Sequence, residues 1–371
     1  RPPGFAVPFW GIFTPAEAVA DLTVRVTMTK VDPTLPGLLA WGVYTPIVQE
    51  NAYDELNVLS EGIGTGPFKL TEYIQDGPIT YEANENYWKP GVPCISKLTL
   101  IPLAEEQTRI ASLRSGEIDG TTVTADTTTT LEGEDEIDIL KGLTSAPRVI
   151  LFNTVSEVPW RDIRVRQAIN KVVDRSLILQ NVYAGEAELT GPIPPGFGPY
   201  PLTPERLEEL YANDVDEAKA LMADAGYADG FDVKMIAISV PRDYTQIAEV
   251  IREQVAQIGI RVTVEPLEIG TFAEHTGAGD FEWASTGRGM RGDPSGHVVD
   301  FRSGTPLNKI RFGDGWKSAE LDELYDEGLV TLDQDARPKY RISMPPSRIS
   351  FRHPTPGSRG CMFRTSIPIP G

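Results

Sequence analysis

The segment from Gly287 to Gly292 has the spacing of a nucleotide-binding loop. It reads G-R-G-M-R-G and matches the GxGxxG pattern, in which glycines let the backbone approach a pyrophosphate. That chemistry needs a helix directly after the loop, because the helix N-terminus binds the phosphates. Asp293-Pro294 follows here and predicts a turn. We therefore expect no nucleotide cofactor at this segment.

Candidate groups for catalysis or metal binding are sparse in the rest of the sequence. There is no GxSxG segment, and His275, His297 and His353 lie far apart without paired spacing. Cys94 and Cys361 are the only cysteines, which excludes a disulfide framework and a CxxC zinc cluster. These observations predict a protein that is not an enzyme and that has neither a metal site nor a cofactor.

The charge balance of the 371 residues is strongly acidic. Asp and Glu number 53 against 34 Lys and Arg, which gives a formal net charge of −19. Nucleic-acid binding relies on basic side chains against phosphate, so we expect no nucleic-acid partner. No apolar run approaches the roughly 20 residues of a membrane helix, and no signal peptide is visible in this chain. We expect a monomer.

The glycine-rich segment also suggests a binding cleft. Trp283 closes an apparent strand and is followed by a run that contains Arg288 and Arg291. An aromatic ring beside flexible backbone and cations can stack on a ligand and neutralise its charge. A core tryptophan with a solvated loop behind it is the alternative, and the sequence leaves both open.

The best-defined structural pattern lies between residues 231 and 264. Phe231, Val233, Met235 and Ala237 alternate as in a strand, and the apolar residues of 247–258 then repeat at helical spacing. Val262 and Val264 indicate the next strand. A strand, helix and strand of this length predict a parallel pair with a right-handed crossover, and therefore an α/β or mixed α+β fold.

The C-terminal tail, residues 338–371, differs from the rest of the chain. It contains no Asp or Glu, six Lys or Arg residues and seven prolines. Because proline removes a backbone donor and blocks helix and central strand, we expect the tail to be disordered. Two explanations of this unusual composition are open: a functional basic arm, or out-of-frame translation after Arg337. The abrupt loss of acidic residues favours out-of-frame translation.

Several segments together resemble the family 5 extracellular solute-binding proteins, which are the dipeptide-, oligopeptide- and nickel-binding subunits of ABC importers. Each segment alone is a weak signal, but their order and spacing are specific, and they cover residues 21 to 337. The segments are 64–70 (GTGPFKL), 84–88 (NENYW), 113–119 (LRSGEID), 152–154 (FNT), 162–169 (DIRVRQAI), 174–175 (DR), 218–227 (AKALMADAGY), 303–304 (SG), Asn308 and 321–322 (LD).

The resemblance implies a bilobed, periplasmic-binding-protein-like fold of class II, here incomplete and truncated at the N-terminus. Residues 1–60 would be a remnant of the added N-terminal domain, 61–148 part of the first lobe and 149–337 the second lobe. The family binds its ligand between two lobes and delivers it to a membrane permease. The expected function is capture of a peptide or peptide-like solute, in a periplasmic or extracellular membrane-anchored location.

The resemblance also implies a set of ligand-binding residues. Peptide-binding members hold the ligand with a W-x-x-D motif, in which Asp pairs with the peptide amino terminus. Trp283 matches the Trp, but Thr286 stands at the Asp position, so the nearby arginines would suit a carboxylate, a phosphate or another anion. The alternatives are a non-peptide solute (an oligosaccharide, an opine or a nickel complex) and a nonfunctional gene fragment. The expected ligand-binding residues are Trp283, Thr286, Arg288, Arg291, Asn153, Asn308, Gly64 and Thr65.

Overall fold

The computed structural model describes most of the chain between residues 64 and 333. The described residues are 16–29, 31–40, 47, 64–288, 293–305, 308, 317–333, 336–337, 348–354 and 361–364. The chain divides into two compact units, which we call the larger unit (residues 1–37 and 122–371) and the smaller unit (residues 38–121). No helix among the described residues is both long and apolar enough to cross a membrane.

The secondary structure is mixed. The strands are β1 (Glu17–Ala20), β2 (Thr23–Arg25), β3 (Phe68–Tyr73), β4 (Ile79–Ala83), β5 (Lys97–Leu100), β6 (Gly120–Thr122), β7 (Ile137–Leu140), β8 (Leu143–Phe152), β9 (Glu188–Leu189), β10 (Phe231–Ile238), β11 (Ile260–Leu267), β12 (Trp283–Gly287), β13 (Arg348–Pro354) and β14 (Cys361–Arg364). The α-helices are α1 (Leu35–Ala40), α2 (Glu106–Ser115), α3 (Ala125–Leu131), α4 (Ile163–Val172), α5 (Arg175–Tyr183), α6 (Pro204–Leu210), α7 (Val215–Asp224), α8 (Asp243–Val255), α9 (Ile269–Ala278), α10 (Ser295–Val298) and α11 (Ala319–Gly328).

The smaller unit contains an antiparallel meander of β3, β4 and β5. In the register of β4 and β5, Ile79 pairs with Leu100 and Tyr81 with Leu98. Helix α2 follows the meander and buries Ile110 and Leu113. It ends at Gly116, whose φ of 75° lets its N–H bond back to the last turn.

The larger unit is built on a six-stranded sheet, in the order β11-β10-β12-β8-β13-β9 among the described residues. Strand β10 pairs in parallel with both β11 and β12. Strand β8 runs antiparallel between β12 and β13. The predicted parallel pair at residues 231–264 is therefore confirmed, with α8 as its crossover helix.

Both faces of this sheet are buried. On β8, Ile150 and Phe152 join the main core, whereas Val149 and Leu151 join a second cluster on the opposite face. Helix α8 contributes residues 247, 251 and 255 to the main core, at the spacing of one helix face. Burial on both faces explains the continuous apolar run of β8 at residues 149–152.

Part of the C-terminal tail, expected to be disordered, forms strands. Strand β13 pairs antiparallel with β8, from Arg348 opposite Leu151 to Pro354 opposite Leu143. Strand β14 pairs with β7. In the sequence, Pro345-Pro346 and Pro354 flank the segment 348–353 and do not interrupt it, so its backbone donors remain available to the apolar strand β8. Residues 338–347, 355–360 and 365–371 lie outside the described residues.

The domain limits also differ from those expected. The expected boundary between residues 148 and 149 falls inside β8, which runs without a break from Leu143 to Phe152. The structure instead changes unit at residues 121 and 122 and groups residues 1–37 with the larger unit. Because β8 pairs with β13 over residues 143–151 and with β12 over residues 148–152, the expected limit lies within a paired strand.

Candidate functional site

Trp283 belongs to the core of the larger unit. Its side chain is fully buried, with 0% exposure. Its ring contacts Phe152 edge-on at 5.0 Å between centroids and Trp160 at 5.8 Å. The expected stacking of Trp283 on a ligand is therefore wrong, and the alternative of a core tryptophan holds. The physical reason is that β12 is a central strand, and both of its faces are covered.

The two predicted asparagines hold backbone segments together. Asn153 donates from Nδ2 to the carbonyl oxygens of Gly279 at 2.8 Å and Phe281 at 2.7 Å. Asn308 is 2% exposed and donates to the carbonyl oxygen of Phe301 at 3.3 Å. In this arrangement their side-chain amides bond to backbone groups, so a ligand role for either residue stays a prediction.

The other predicted residues are distributed over both units. Thr286 is half-buried on β12 opposite Val149. Arg288 is buried, and its Nη2 donates to the carbonyl oxygen of Gly296 at 3.0 Å. Arg291 lies outside the described residues. Gly64 and Thr65 are exposed residues of the smaller unit. The structure brings Thr286 and Arg288 together, two residues apart at the end of one strand.

The carboxyl ends of β10 and β12 lie side by side because the two strands are parallel neighbours. Ligands of open α/β sheets bind at this edge, where loops leave the strand ends. Strand β8 runs the opposite way and brings Arg148 to the same edge, opposite Gly287. Arg242, Asp243 and Tyr244 lie where the connection from β10 enters α8. We call Arg148, Arg242, Asp243, Tyr244 and Gly287 the carboxyl-end site.

A buried charge pair organises the carboxyl-end site. Arg148 donates from Nε to Oδ2 of Asp243 at 2.7 Å, and Tyr183 donates its hydroxyl to the same oxygen at 3.0 Å. The guanidinium carbon of Arg148 lies 4.1 Å from the ring centre of Tyr244, a cation–π contact. Burial opposes the charge of Arg148, but the negative charge of Asp243 outweighs it and raises the pKa of Arg148.

Gly287 leaves the space that these side chains occupy. A Cβ atom built on Gly287 would lie 2.8 Å from Oη of Tyr244 and 3.1 Å from Nη1 of Arg148. The backbone of Tyr244 is held by Ser285, which donates its hydroxyl to the Tyr244 carbonyl oxygen at 2.8 Å. The phenol of Tyr244 and the guanidinium of Arg148 therefore pack directly over the Gly287 backbone at the end of β12.

The side chains of this site are hydrogen-bond donors and one carboxylate. A guanidinium and a phenol can donate hydrogen bonds to an anion or a carbonyl oxygen. Among the described residues no group of three or more His, Cys, Asp or Glu side chains is placed to hold a metal ion. The sequence did contain a signal for this site: Arg148 is a charge at the start of an apolar run, and residues 242–244 lie in the segment between a predicted strand and a predicted helix.

The sequence matches the family model for bacterial extracellular solute-binding proteins, family 5 (middle part), over residues 3–308. The chain belongs to this family of bacterial extracellular solute-binding proteins. That assignment confirms the resemblance noted from the sequence segments.

Two curated relatives are similar over part of their length. Heme-binding protein A of Haemophilus influenzae is 29% identical over 358 residues, which are 90% of this chain and 62% of that protein. Glutathione-binding protein GsiB of Escherichia coli K12 is 26% identical over 278 residues, 72% of this chain and 52% of that protein. The chain thus spans between half and two thirds of the length of these relatives.

A solved structure shows the same fold. The periplasmic binding protein DppA of Helicobacter pylori, in complex with peptide STSA, superposes with a TM-score of 0.76 at 22% identity, covering 98% of this chain and 78% of that one. The mixed α/β fold of periplasmic binding proteins, expected from the sequence, is therefore confirmed.

Proposed function

We propose that this chain is the solute-binding component of an ABC importer and captures a peptide or peptide-like solute. The observation that carries the proposal is the carboxyl-end site, where a guanidinium and a phenol lie together at the edge at which two parallel strands end. Such a site binds polar solutes by hydrogen bonds and charge. It contains no nucleophile beside a general base, which supports binding without chemical conversion.

The similar proteins favour a small solute of this kind. One is named for heme, one for glutathione and one is bound to a four-residue peptide. All three solutes carry carboxylate groups, and two of them are peptides. A partner permease in the membrane, a periplasmic or extracellular membrane-anchored location and a monomeric state belong to the same proposal, and the acidic net charge of −19 speaks against a nucleic-acid partner.

A second candidate is a related protein for a non-peptide anionic solute. Thr286 stands where peptide-binding members have the Asp that pairs with a free amino terminus. The half-buried threonine hydroxyl cannot supply that negative charge. The arginines of the same sheet edge favour the opposite end of a ligand, its acidic group.

Differential scanning fluorimetry of the 371-residue chain tests the proposal. The panel is trialanine, glutathione, maltotriose and the nickel–histidine complex, each followed by calorimetric titration. A ligand that binds only the folded state raises the unfolding temperature with its concentration. Saturable stabilisation by trialanine or glutathione supports a peptide-like solute, and stabilisation by the nickel complex or maltotriose alone supports the second candidate. Failure of every probe to stabilise the chain contradicts both.

A further inference from the structure

Strand β13, which comes from the basic tail, has an interior position in the six-stranded sheet. It lies between β8 and the short strand β9 and pairs antiparallel with both. Residues 148–151 of β8 therefore have β12 on one side and β13 on the other. Within the described part of the sheet, β9 is joined to the other strands through β13. The segment 348–354 is thus built into the larger unit.

The register connects β13 with the carboxyl-end site through one row of residues. Gly287 lies opposite Arg148 in the pair of β12 and β8, and Phe351 lies opposite Arg148 in the pair of β8 and β13. Leu189 of β9 continues the row opposite Phe351. Arg148 is the residue that donates from Nε to Asp243 in this site. Position 351 is therefore the direct neighbour, across the sheet, of the residue that organises the site.

The apolar residues of β13 fall at the positions that this register requires. Residues directly opposite each other in an antiparallel pair belong to the same face of the sheet. Ile349 lies opposite Ile150, which belongs to the main core. Phe351 lies opposite Leu189, which packs against the same core. A shift by one residue would move both apolar positions to the other face, so the sequence of β13 agrees with the observed pairing.

The charge of the tail favours the same placement. Residues 338–371 contain six Lys or Arg and no Asp or Glu, whereas the whole chain has 53 acidic against 34 basic residues. Arg352 lies opposite Glu188 in the pair of β13 and β9. Residues of opposite charge in this relation stabilise a sheet. A basic segment is therefore paired with a strand of the acidic body.

We propose that β13 is a positioning element of the carboxyl-end site and that docking of the tail on β8 is coupled to solute binding. Strand β13 fixes the backbone of β8 at Arg148, and Arg148 contacts Asp243 and Tyr244. Coupling of two binding events is reciprocal, so a docked tail raises solute affinity and bound solute favours the docked tail by the same factor. This inference rests on the proposed function and deepens it, because it adds a regulation of the same site.

Hydrogen–deuterium exchange of the intact chain, measured by mass spectrometry, tests the docking and the coupling. Peptides that cover 348–353 are expected to exchange at least about tenfold more slowly than an unstructured chain. Saturating trialanine or glutathione should slow these peptides further, and by more than the average peptide of the chain. Exchange at the unstructured rate overturns the inference. It is also overturned if solute has no effect on 348–353, or if all peptides slow equally, which is global stabilisation.

A repeated tripeptide provides a matched pair of variants. Arg-Ile-Ser occurs twice in the tail, and the copy at 348–350 lies in a described strand. Ile349→Pro with Ser350→Pro removes two successive backbone donors, one of which faces β8. Calorimetric titration should show solute affinity lowered at least about fivefold in this variant, whereas Ile342→Pro with Ser343→Pro stays within about twofold of wild type. Equal affinities in the two double variants contradict the role of β13.

Substitutions at position 351 keep the test decisive if the strand variant does not fold. Phe351→Ser places a polar residue in the main-core row and should lower solute affinity about fivefold or more, with a folded circular dichroism spectrum. Phe351→Leu keeps an apolar residue there and should hold the affinity within about twofold of wild type. A role in stability alone predicts a lower unfolding temperature for Phe351→Ser with unchanged solute affinity, and that result overturns the inference.

The outcomes separate this inference from the proposed function. If trialanine or glutathione binds with the same affinity in the wild-type chain and in the β13 variants, the proposed function stands and this inference fails. If only maltotriose or the nickel–histidine complex binds, that probe is used in every comparison with the same criteria. If no probe binds, both fail.

Discussion

Two buried tryptophans of the larger unit differ in one hydrogen bond, and the difference gives a measurable prediction. Trp160 and Trp283 are 1% and 0% exposed and contact each other edge-on. Trp160 donates from Nε1 to the carbonyl oxygen of Asn153 at 2.5 Å. Nε1 of Trp283 has no partner among the described residues. Replacing either by Phe removes similar core volume, so the packing losses are alike.

The loss of the hydrogen bond separates the two variants. Trp160→Phe leaves the buried Asn153 carbonyl oxygen unsatisfied, which costs about 1–3 kcal/mol beyond packing. Trp283→Phe removes an unsatisfied donor and costs packing alone. Trp160→Phe is therefore expected to lower the free energy of unfolding by about 1–3 kcal/mol more than Trp283→Phe.

Urea denaturation followed by circular dichroism measures both free energies of unfolding, and calorimetry measures solute affinity in the same variants. Equal destabilisation, or a larger loss for Trp283→Phe, would refute the hydrogen-bond reasoning. Because Trp283 is buried, Trp283→Phe should leave solute affinity within about twofold of wild type. A loss of solute affinity with an unchanged free energy of unfolding would indicate that Trp283 contacts the ligand and would refute its assignment to the core.

Three further perturbations follow from single contacts. Gly230→Ala should destabilise the fold by more than about 2 kcal/mol in urea denaturation. The reason is that Gly230 has a φ of +70° and that a Cβ at this position would lie 1.8 Å from the carbonyl oxygen of Gly259. A variant as stable as wild type would contradict this close approach. Arg337→Met should lower the free energy of unfolding by about 3–5 kcal/mol, because it leaves Asp293 buried without its bidentate partner. Adding Asp293→Asn should restore most of that loss. A double variant no more stable than Arg337→Met would exclude this pairing. Burial opposes the charge of Asp293, but hydrogen bonds from Arg337 and Ser295 outweigh it and lower the pKa of Asp293. The ionised Asp293 therefore stabilises the fold fully above the unfolded pKa of about 3.9, and this stabilisation is lost as pH falls below that value. Thermal unfolding midpoints between pH 3 and 6 should fall more steeply in wild type than in Asp293→Asn, and parallel curves would disprove the assignment.

Local periodicity was enough to predict the centre of the larger unit. Alternation at 231–237 and helical spacing at 247–258 identify β10, α8 and their parallel partner β11, because these elements bury one continuous core. The tail strand β13 was missed for the opposite reason. Its pairing partner β8 lies about two hundred residues earlier, and proline content describes only the local chain.

The candidate site illustrates the same limit. Trp283 was chosen for its place beside glycines and arginines, but sequence proximity to a loop does not tell which strands flank it. Strand β12 proved central, and the tryptophan is buried between Phe152 and Trp160. Arg148 and Asp243 are 95 residues apart and meet because antiparallel β8 brings Arg148 beside the carboxyl ends of β12 and β10. Such a pair becomes visible once strand order is known.

The proposed function requires that the chain binds a small peptide or peptide-like solute and releases it unchanged. Calorimetric titration of the 371-residue chain with trialanine and glutathione, followed by mass spectrometry of the ligand recovered after heat denaturation, tests this most directly. The account predicts saturable binding of one ligand per chain and recovery of that ligand at its original mass. Absence of saturable binding, or recovery of a converted product, would contradict it.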